Sequence, residues 1–373
     1  MNNIHDVIIV GAGPSGIGIA ALLQQMECTS YLILEKEEVG ASFLQWPKEM
    51  RFITPSFPAQ GFGQTDLNAI VPKTSPAYTL DMEHPTGEAY AEYLDVVADH
   101  FALPIREGVQ VNHIDKNDGI FSIDTTQGIY QSRFVVWAAG QYQYPNLNPF
   151  SGAELGVHNS LIPSWREMEG DDFIIIGGGY ESGMDAAFHL GCLGKRATLI
   201  AKTNTWEIDD SDPSVALSPY TYSRIRHLLV SDLFTVVGNT SVTGIKSVAS
   251  GYDIYTNKGK VFSTAVKPIL ATGFSGSTTK IENLVTRGEH GGEVLVNDKD
   301  ESVVTTGLFL AGPELRHDDH IFCYIYKFRQ RFAVIAEMIG QHLGLDLSIL
   351  EEYKRENFYL DDLSMCGGER CQC

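Results

Sequence analysis

The sequence predicts an α/β protein of two similar domains, with the second inserted into the first. Three observations carry that expectation. Near the N-terminus an apolar run of strand length, His5-Asp6-Val7-Ile8-Ile9-Val10, leads directly into Gly11-Ala12-Gly13-Pro14-Ser15-Gly16. A second apolar run, Phe173-Ile174-Ile175-Ile176, leads into Gly177-Gly178-Gly179-Tyr180-Glu181-Ser182-Gly183. Late in the chain, Gly307-Leu308-Phe309-Leu310-Ala311-Gly312-Pro313 reads as one more strand entering a turn, which returns the chain to the first domain.

The elements follow in order. After the first glycines a helix runs through Ala20-Ala21-Leu22-Leu23, and the next strand, Tyr31-Leu32-Ile33-Leu34, ends at Glu35. Residues 86–101 carry apolar positions at helical spacing. Residues 108–112 read as a short strand, 120–125 and 129–132 as an antiparallel pair, and 134–140 as a further strand running into glycine. The proline-containing stretch 142–149 reads as a linker. A second βαβ unit occupies 165–270 and closes on Pro268-Ile269-Leu270-Ala271-Thr272-Gly273-Phe274, and a long helix is expected over 323–343. The first domain is thus placed at 1–160 and 271–373, and the second at 161–270.

Composition narrows the partners. The 373 residues suffice for two or three domains and are 43% apolar. The formal charge of −20, from 27 basic and 47 acidic residues, repels nucleic acid and anionic membrane, so neither is an expected partner. No run approaches the roughly 18–20 apolar residues of a membrane span. The first apolar run is itself the fingerprint strand, with no basic segment before it, so the location expected is cytoplasmic. Oligomeric state stays open, a homodimer included. Cys28, Cys192 and Cys323 sit in apolar surroundings, whereas Cys366, Cys371 and Cys373 crowd the C-terminus.

The first fingerprint has the spacing of a dinucleotide site. Gly11 permits the tight turn, Gly13 lets backbone approach a pyrophosphate, and Gly16 with Ala20 lets the helix pack on the sheet. The helix N-terminus offers amide donors and a positive dipole end to the anion. Glu35, ending the next strand, can accept both ribose hydroxyls of an adenosine. The second fingerprint reads in two registers: Gly177-x-Gly179-x-x-Ser182, or Gly178 to Gly183 with Tyr180 in a glycine position. Its next strand, 197–201, ends at Lys202 and is preceded by Arg196. A cation there can pair with a 2′-phosphate, which favours NADPH over NADH. Two nucleotide sites in one chain imply an enzyme that passes electrons between two bound dinucleotides.

In its order of motifs the chain resembles the two-dinucleotide-binding-domain flavoproteins, in particular their flavin-containing monooxygenase-like branch. The resemblance covers nearly the whole chain: first fingerprint, Ala138-Ala139-Gly140, second fingerprint, Ala271-Thr272-Gly273, then Gly307 to Gly312. It implies two Rossmann-like, three-layer ββα domains, FAD in the first and NADPH in the second. For FAD it implies Gly11, Gly13, Pro14, Ser15, Gly16, Glu35, Lys36, Ser42, Trp46, Val111, Ala139, Gly140, Gly312 and Pro313. For NADPH it implies Gly177, Gly178, Gly179, Tyr180, Glu181, Ser182, Lys202, Thr272 and Gly273. Gly40-Ala41-Ser42-Phe43-Leu44-Gln45-Trp46-Pro47-Lys48-Glu49 is similar to the segment these monooxygenases lay beside the isoalloxazine. Phe43 replaces a Trp there, and Gln45, the candidate catalytic residue, takes the place of an Asn and retains an amide donor. The implied reaction is NADPH-dependent oxygenation of a small molecule by O2 through a flavin peroxide.

Reductases share this architecture. Thioredoxin-reductase-like members carry a Cys-x-x-Cys pair after the second fingerprint, where this chain has only Cys192. A bacillithiol-disulfide-reductase-like branch has Cys where this chain has Ser15, and serine forms no mixed disulfide. The alternative is therefore an NADPH-dependent reductase of a disulfide or quinone-like acceptor, working through the C-terminal cysteines. Those three thiols equally suit a soft metal such as Zn or Cu(I), or neither role. A redox or metal sensor is a third class. Phe150-Ser151-Gly152 and His158 depart from the family linker motif and read either as linker or as loop anchor. In His317-Asp318-Asp319-His320 the aspartates read as helix caps.

Overall fold

The computed structural model describes residues 4–57, 65–210, 212, 214–288, 292–318 and 320–363. The chain forms two compact units, and the described part of the first comprises residues 4–44, 54–143 and 276–363. The second comprises Gln45–Ile53 and Tyr144–Ser275.

In the first unit, Ile4–Val10 lies parallel between Tyr31–Leu34 and Gly128–Trp137, and Ile105–Arg106 extends that edge. Leu308–Leu310 pairs in parallel with the C-terminal half of Gly128–Trp137. The N-terminal half of the same strand joins Ile120–Thr125 and Val111–Asn117 in an antiparallel meander. Two expected strands, 129–132 and 134–140, are therefore one. Arg133, between them, pairs with Asp6 at 3.0 Å while the ladder continues. The strand expected at 108–112 begins instead at Val111, because Gly108 and Val109 bond to the backbone of Glu37 and Glu35. The helix Gly87–His100 is capped by Thr86 Oγ1, which accepts from Ala89 N.

The long helix expected at 323–343 is interrupted. Ile325–Phe328 passes through a 3-10 turn, Arg329–Arg331, into Phe332–Leu343. The turn directs two buried guanidiniums to partners. Arg329 donates to the carbonyls of Asp66 and Ala69, and Arg331 forks onto Asp300 at 2.8 and 2.9 Å. Arg316–His317 and His320–Ile321 form a tight hairpin rather than a helix start, with Asp318 in the left-handed region. His317 bonds Asp300 at 2.6 Å. Asp319 lies outside the described residues.

The second unit repeats the plan. Its parallel sheet runs Phe234–Val237, Arg196–Ala201, Asp172–Gly177, Ile269–Ala271, Val157–His158, beside an antiparallel meander of Val242–Val248, Gly251–Thr256 and Val261–Thr264. The unbroken apolar run at 173–176 reflects a strand buried on both faces. Phe173 and Ile175 pack with Met184, Ala187 and Leu190 of the helix Glu181–Cys192. Ile174 and Ile176 pack with Ile245 and Ile254 of the meander. The second unit thus has helix, parallel sheet and meander as successive layers. No helix among the described residues is long and apolar enough to cross a membrane.

Candidate dinucleotide-binding sites

The first turn is shaped by three close approaches. Gly11 has φ +107, and a Cβ there would lie 2.6 Å from the Ala138 carbonyl oxygen. A Cβ at Gly16 would lie 1.9 Å from Gly11 O, inside the strand-to-helix bend. Gly312, with φ +103, comes so near Ser15 that its Cβ would lie 2.9 Å from Ser15 Oγ. Ala139 and Gly140 leave the central strand beside these contacts, and Ser277 N donates to Gly140 O at 3.2 Å. Gly13 differs from its neighbours, for a Cβ there meets nothing within 4 Å. It caps the helix Pro14–Gln25 with no side-chain hydrogen bond. An uncapped helix N-terminus faced by open space is what a pyrophosphate requires. We expect Gly16→Ala to unfold earlier in thermal and denaturant melts, by about 1–3 kcal/mol, because backbone must move to admit the methyl group.

Glu35 sits at this turn. Its Oε2 accepts from Ala12 N at 2.7 Å and its Oε1 from Glu37 N at 2.9 Å. Burial pushes its carboxyl up from the ordinary range, against those hydrogen bonds. A carboxylate has about four lone-pair sites, so capacity remains for a ribose diol. Val109, buried and bonded through its N to Glu35 O at 2.8 Å, abuts this acid. Sequence reasoning selected Val111 instead, which opens the meander opposite Thr125. Lys36 points to the surface and pairs with Glu37 at 3.3 Å. Pro313 follows Gly312 and its carbonyl accepts from Arg316.

The segment after Gly40 is divided between the units. Ser42 lies on the short helix Ala41–Leu44 of the first unit, held where Gly40 N donates to Ala12 O at 3.1 Å. Gln45 and Trp46 belong to the second unit; Gln45 is exposed, and the Trp46 ring packs on Phe52 at 5.1 Å.

Strand register settles the reading of the second fingerprint. Val10 pairs with Leu34 and Trp137, and Gly177 pairs with Ala201 and Ala271. One residue further, Gly178 answers to Gly11 and Lys202 to Glu35. The helices begin at Pro14 and Glu181, so Tyr180 stands where Gly13 does. The backbones agree: φ −87, ψ −170 at Gly13 and φ −93, ψ −167 at Tyr180. The motif is therefore Gly178-x-Tyr180-x-x-Gly183, and the ring of Tyr180 stays 41% exposed. Gly177 is the last strand residue, kept small by Ala271 O, which a Cβ would approach to 2.6 Å. Gly179, at φ +84, packs against Trp206 and Thr203.

Several second-site candidates serve the fold. The Glu181 carboxylate accepts from Ser218 N at 2.6 Å and from Thr221 Oγ1, and burial pushes its pKa up. It ties the helix Glu181–Cys192 to the helix Pro219–Ile225. Ser182 follows Glu181 in the first helical turn. Thr272 and Gly273 tie to the linker, through Thr272 Oγ1 to Asn146 O and Asn146 N to Gly273 O, both at 2.9 Å. His158 is a loop anchor. Its Nε2 reaches Gly273 O at 3.0 Å and its Nδ1 takes the Ser160 N–H, which fixes the neutral Nε2–H tautomer; burial lowers its pKa accordingly. Arg196 opens the strand that Lys202 follows, so it lies at the opposite end of that strand, pairing with Asp172 at 3.4 Å. The 2′-phosphate role proposed for it does not stand; Lys202 alone keeps that position. Cys366, Cys371 and Cys373 lie outside the described residues. Among the described residues no three His, Cys, Asp or Glu side chains are grouped to hold a metal.

The profile of the pyridine nucleotide-disulphide oxidoreductases matches residues 8–312. The chain belongs to this family. An uncharacterized CzcO-like oxidoreductase of Geobacillus kaustophilus is 26% identical over 194 residues, 51% of this chain and 52% of that protein. The chain spans about half the length of such curated relatives. The bacillithiol disulfide reductase of Staphylococcus aureus superposes with TM-score 0.75 at 21% identity, over 92% of this chain and 99% of that one. A flavin-containing monooxygenase of Stenotrophomonas maltophilia gives 0.68 at 15% identity, over 91% and 99%. Both share the two-domain, Rossmann-like fold, which is the fold the sequence led us to expect.

Proposed function

We propose that this family member is an NADPH-dependent monooxygenase that oxygenates a small molecule with O2. FAD belongs to the first unit and NADPH to the second. The observation that supports oxygenation over disulfide reduction is Ser15. It is 4% exposed in the first turn, against Gly312, where a hydroxyl neither attacks nor resolves a disulfide. Cys28 and Cys192 are free thiols. Cys28 is buried, which pushes its thiol pKa up and makes it a poor nucleophile. Cys192 ends the helix Glu181–Cys192, at the far end from the fingerprint.

When bound, FAD supplies hydride acceptance from NADPH and activation of O2. Gly11, Gly13 and the helix N-terminus at Pro14 hold its pyrophosphate, and Glu35 its ribose. Lys202 receives the 2′-phosphate of NADPH. Gln45 is the candidate catalytic residue, as an amide donor.

Incubation with NADPH, O2 and a panel of soft nucleophiles and ketones is expected to give an oxygenated product, with hydrogen peroxide well below the NADPH consumed. Peroxide equal to NADPH with every compound would reject this reading. The second reading, a reductase acting through Cys366, Cys371 and Cys373, rests on the clustering of those thiols. It requires that anaerobic NADPH titration deliver more electrons than FAD alone accepts.

A further inference from the structure

We propose that Glu49 is a positioning residue, tying the segment that carries Gln45 to the fingerprint helix of the second unit. The proposal rests on the role given to Gln45 above. The residues flanking Gln45–Ile53 belong to the first unit, yet this stretch belongs to the second. The bonds responsible are few and specific. Glu49 Oε1 accepts from Ser164 Oγ at 2.6 Å, and Oε2 accepts from Trp165 N at 3.0 Å. Lys48 N donates to Pro163 O at 2.9 Å. Ser164 Oγ also accepts from Arg166 N at 3.2 Å, so its own proton is directed to the carboxylate.

The chain of contacts continues to the fingerprint. The Trp165 ring, 1% exposed, lies parallel to His189 of the helix Glu181–Cys192, with centroids 6.4 Å apart and an angle of 6°. His189 Nε2 lies 3.4 Å from Asp185 Oδ1, which accepts from Arg224 at 3.0 Å. Arg224 also reaches Thr221 Oγ1 at 3.3 Å, and Thr221 bonds Glu181, the first residue of that helix. Burial opposes ionisation of Glu49, but the bonds from Ser164 and Trp165 outweigh it and hold its carboxyl below the usual range. A charged acceptor with two donors is a strong anchor. It fixes where Gln45, four residues earlier, is presented.

The test uses the full-length, FAD-loaded protein with Glu49→Ala and Glu49→Gln. Amide hydrogen exchange at Lys48 and Trp165 is expected to quicken by about tenfold or more, the scale of a lost charge-assisted hydrogen bond. Exchange in Ile4–Val10, FAD content and the rate of flavin reduction by NADPH should match wild type. Peroxide released per NADPH should rise several-fold, and Glu49→Asp should restore part of the coupling. Unchanged exchange at both amides in Glu49→Ala overturns the anchor. Quickened exchange with unchanged peroxide yield overturns the positioning role. A wild-type protein that yields only peroxide rejects the monooxygenase reading separately, and the exchange result then decides the anchor on its own.

Discussion

Gly13→Val is expected to give a folded protein that has lost its FAD. The backbone at Gly13, φ −87 and ψ −170, is one that valine adopts without strain. A Cβ there meets no protein atom within 4 Å, so the fold itself tolerates the side chain. The volume it would fill is the volume assigned to the pyrophosphate. Steric exclusion of ~3 kcal/mol corresponds to about a hundredfold weaker FAD binding. Flavin absorbance per protein after gel filtration measures the loss, and a far-ultraviolet thermal melt checks the fold. Full flavin content would remove FAD from this turn. A melt as impaired as that of Gly16→Ala would show that the space is needed by the protein and not by the ligand.

Lys202→Glu is expected to reverse the nucleotide preference. Lys202 stands in the second unit where Glu35 stands in the first, one residue beyond the strand pair formed with Gly177. It is exposed, and its charge is the feature that distinguishes a 2′-phosphate from a hydroxyl. Replacing attraction by repulsion should lower kcat/KM for NADPH by about 10–100-fold, the scale of a charge-assisted phosphate contact, and change NADH little. Stopped-flow flavin reduction with each nucleotide measures the ratio. Equal rates with NADPH and NADH in the wild type would deprive the cation of its role.

Legibility in the sequence followed the range of the interactions. Gly11, Gly13, Gly16 and Glu35 were legible because a strand, a turn, a helix and the next strand follow one another within one βαβ unit, where spacing is geometry. Arg196 was misread for the same reason inverted. It is near Lys202 in sequence, but the extended strand Arg196–Ala201 holds the two at its opposite ends. The strands expected at 129–132 and 134–140 proved to be one, because the ladder continues past Arg133.

By itself the sequence determined the fold class, the two glycine turns, and an acid after one second strand against a base after the other. These are set by local periodicity and by steric limits on single residues. Only the tertiary structure decided the register of Gly177-Gly178-Gly179, because three adjacent glycines are equivalent until the pairing of Gly177 with Ala201 and Ala271 ends the strand. It likewise decided that Val109 abuts Glu35, that His158 locks onto Gly273, and that Glu49 holds Ser164 and Trp165. Each of those contacts joins residues far apart in the chain. No local pattern encodes them, and they exist only once the sheets have brought their ends together.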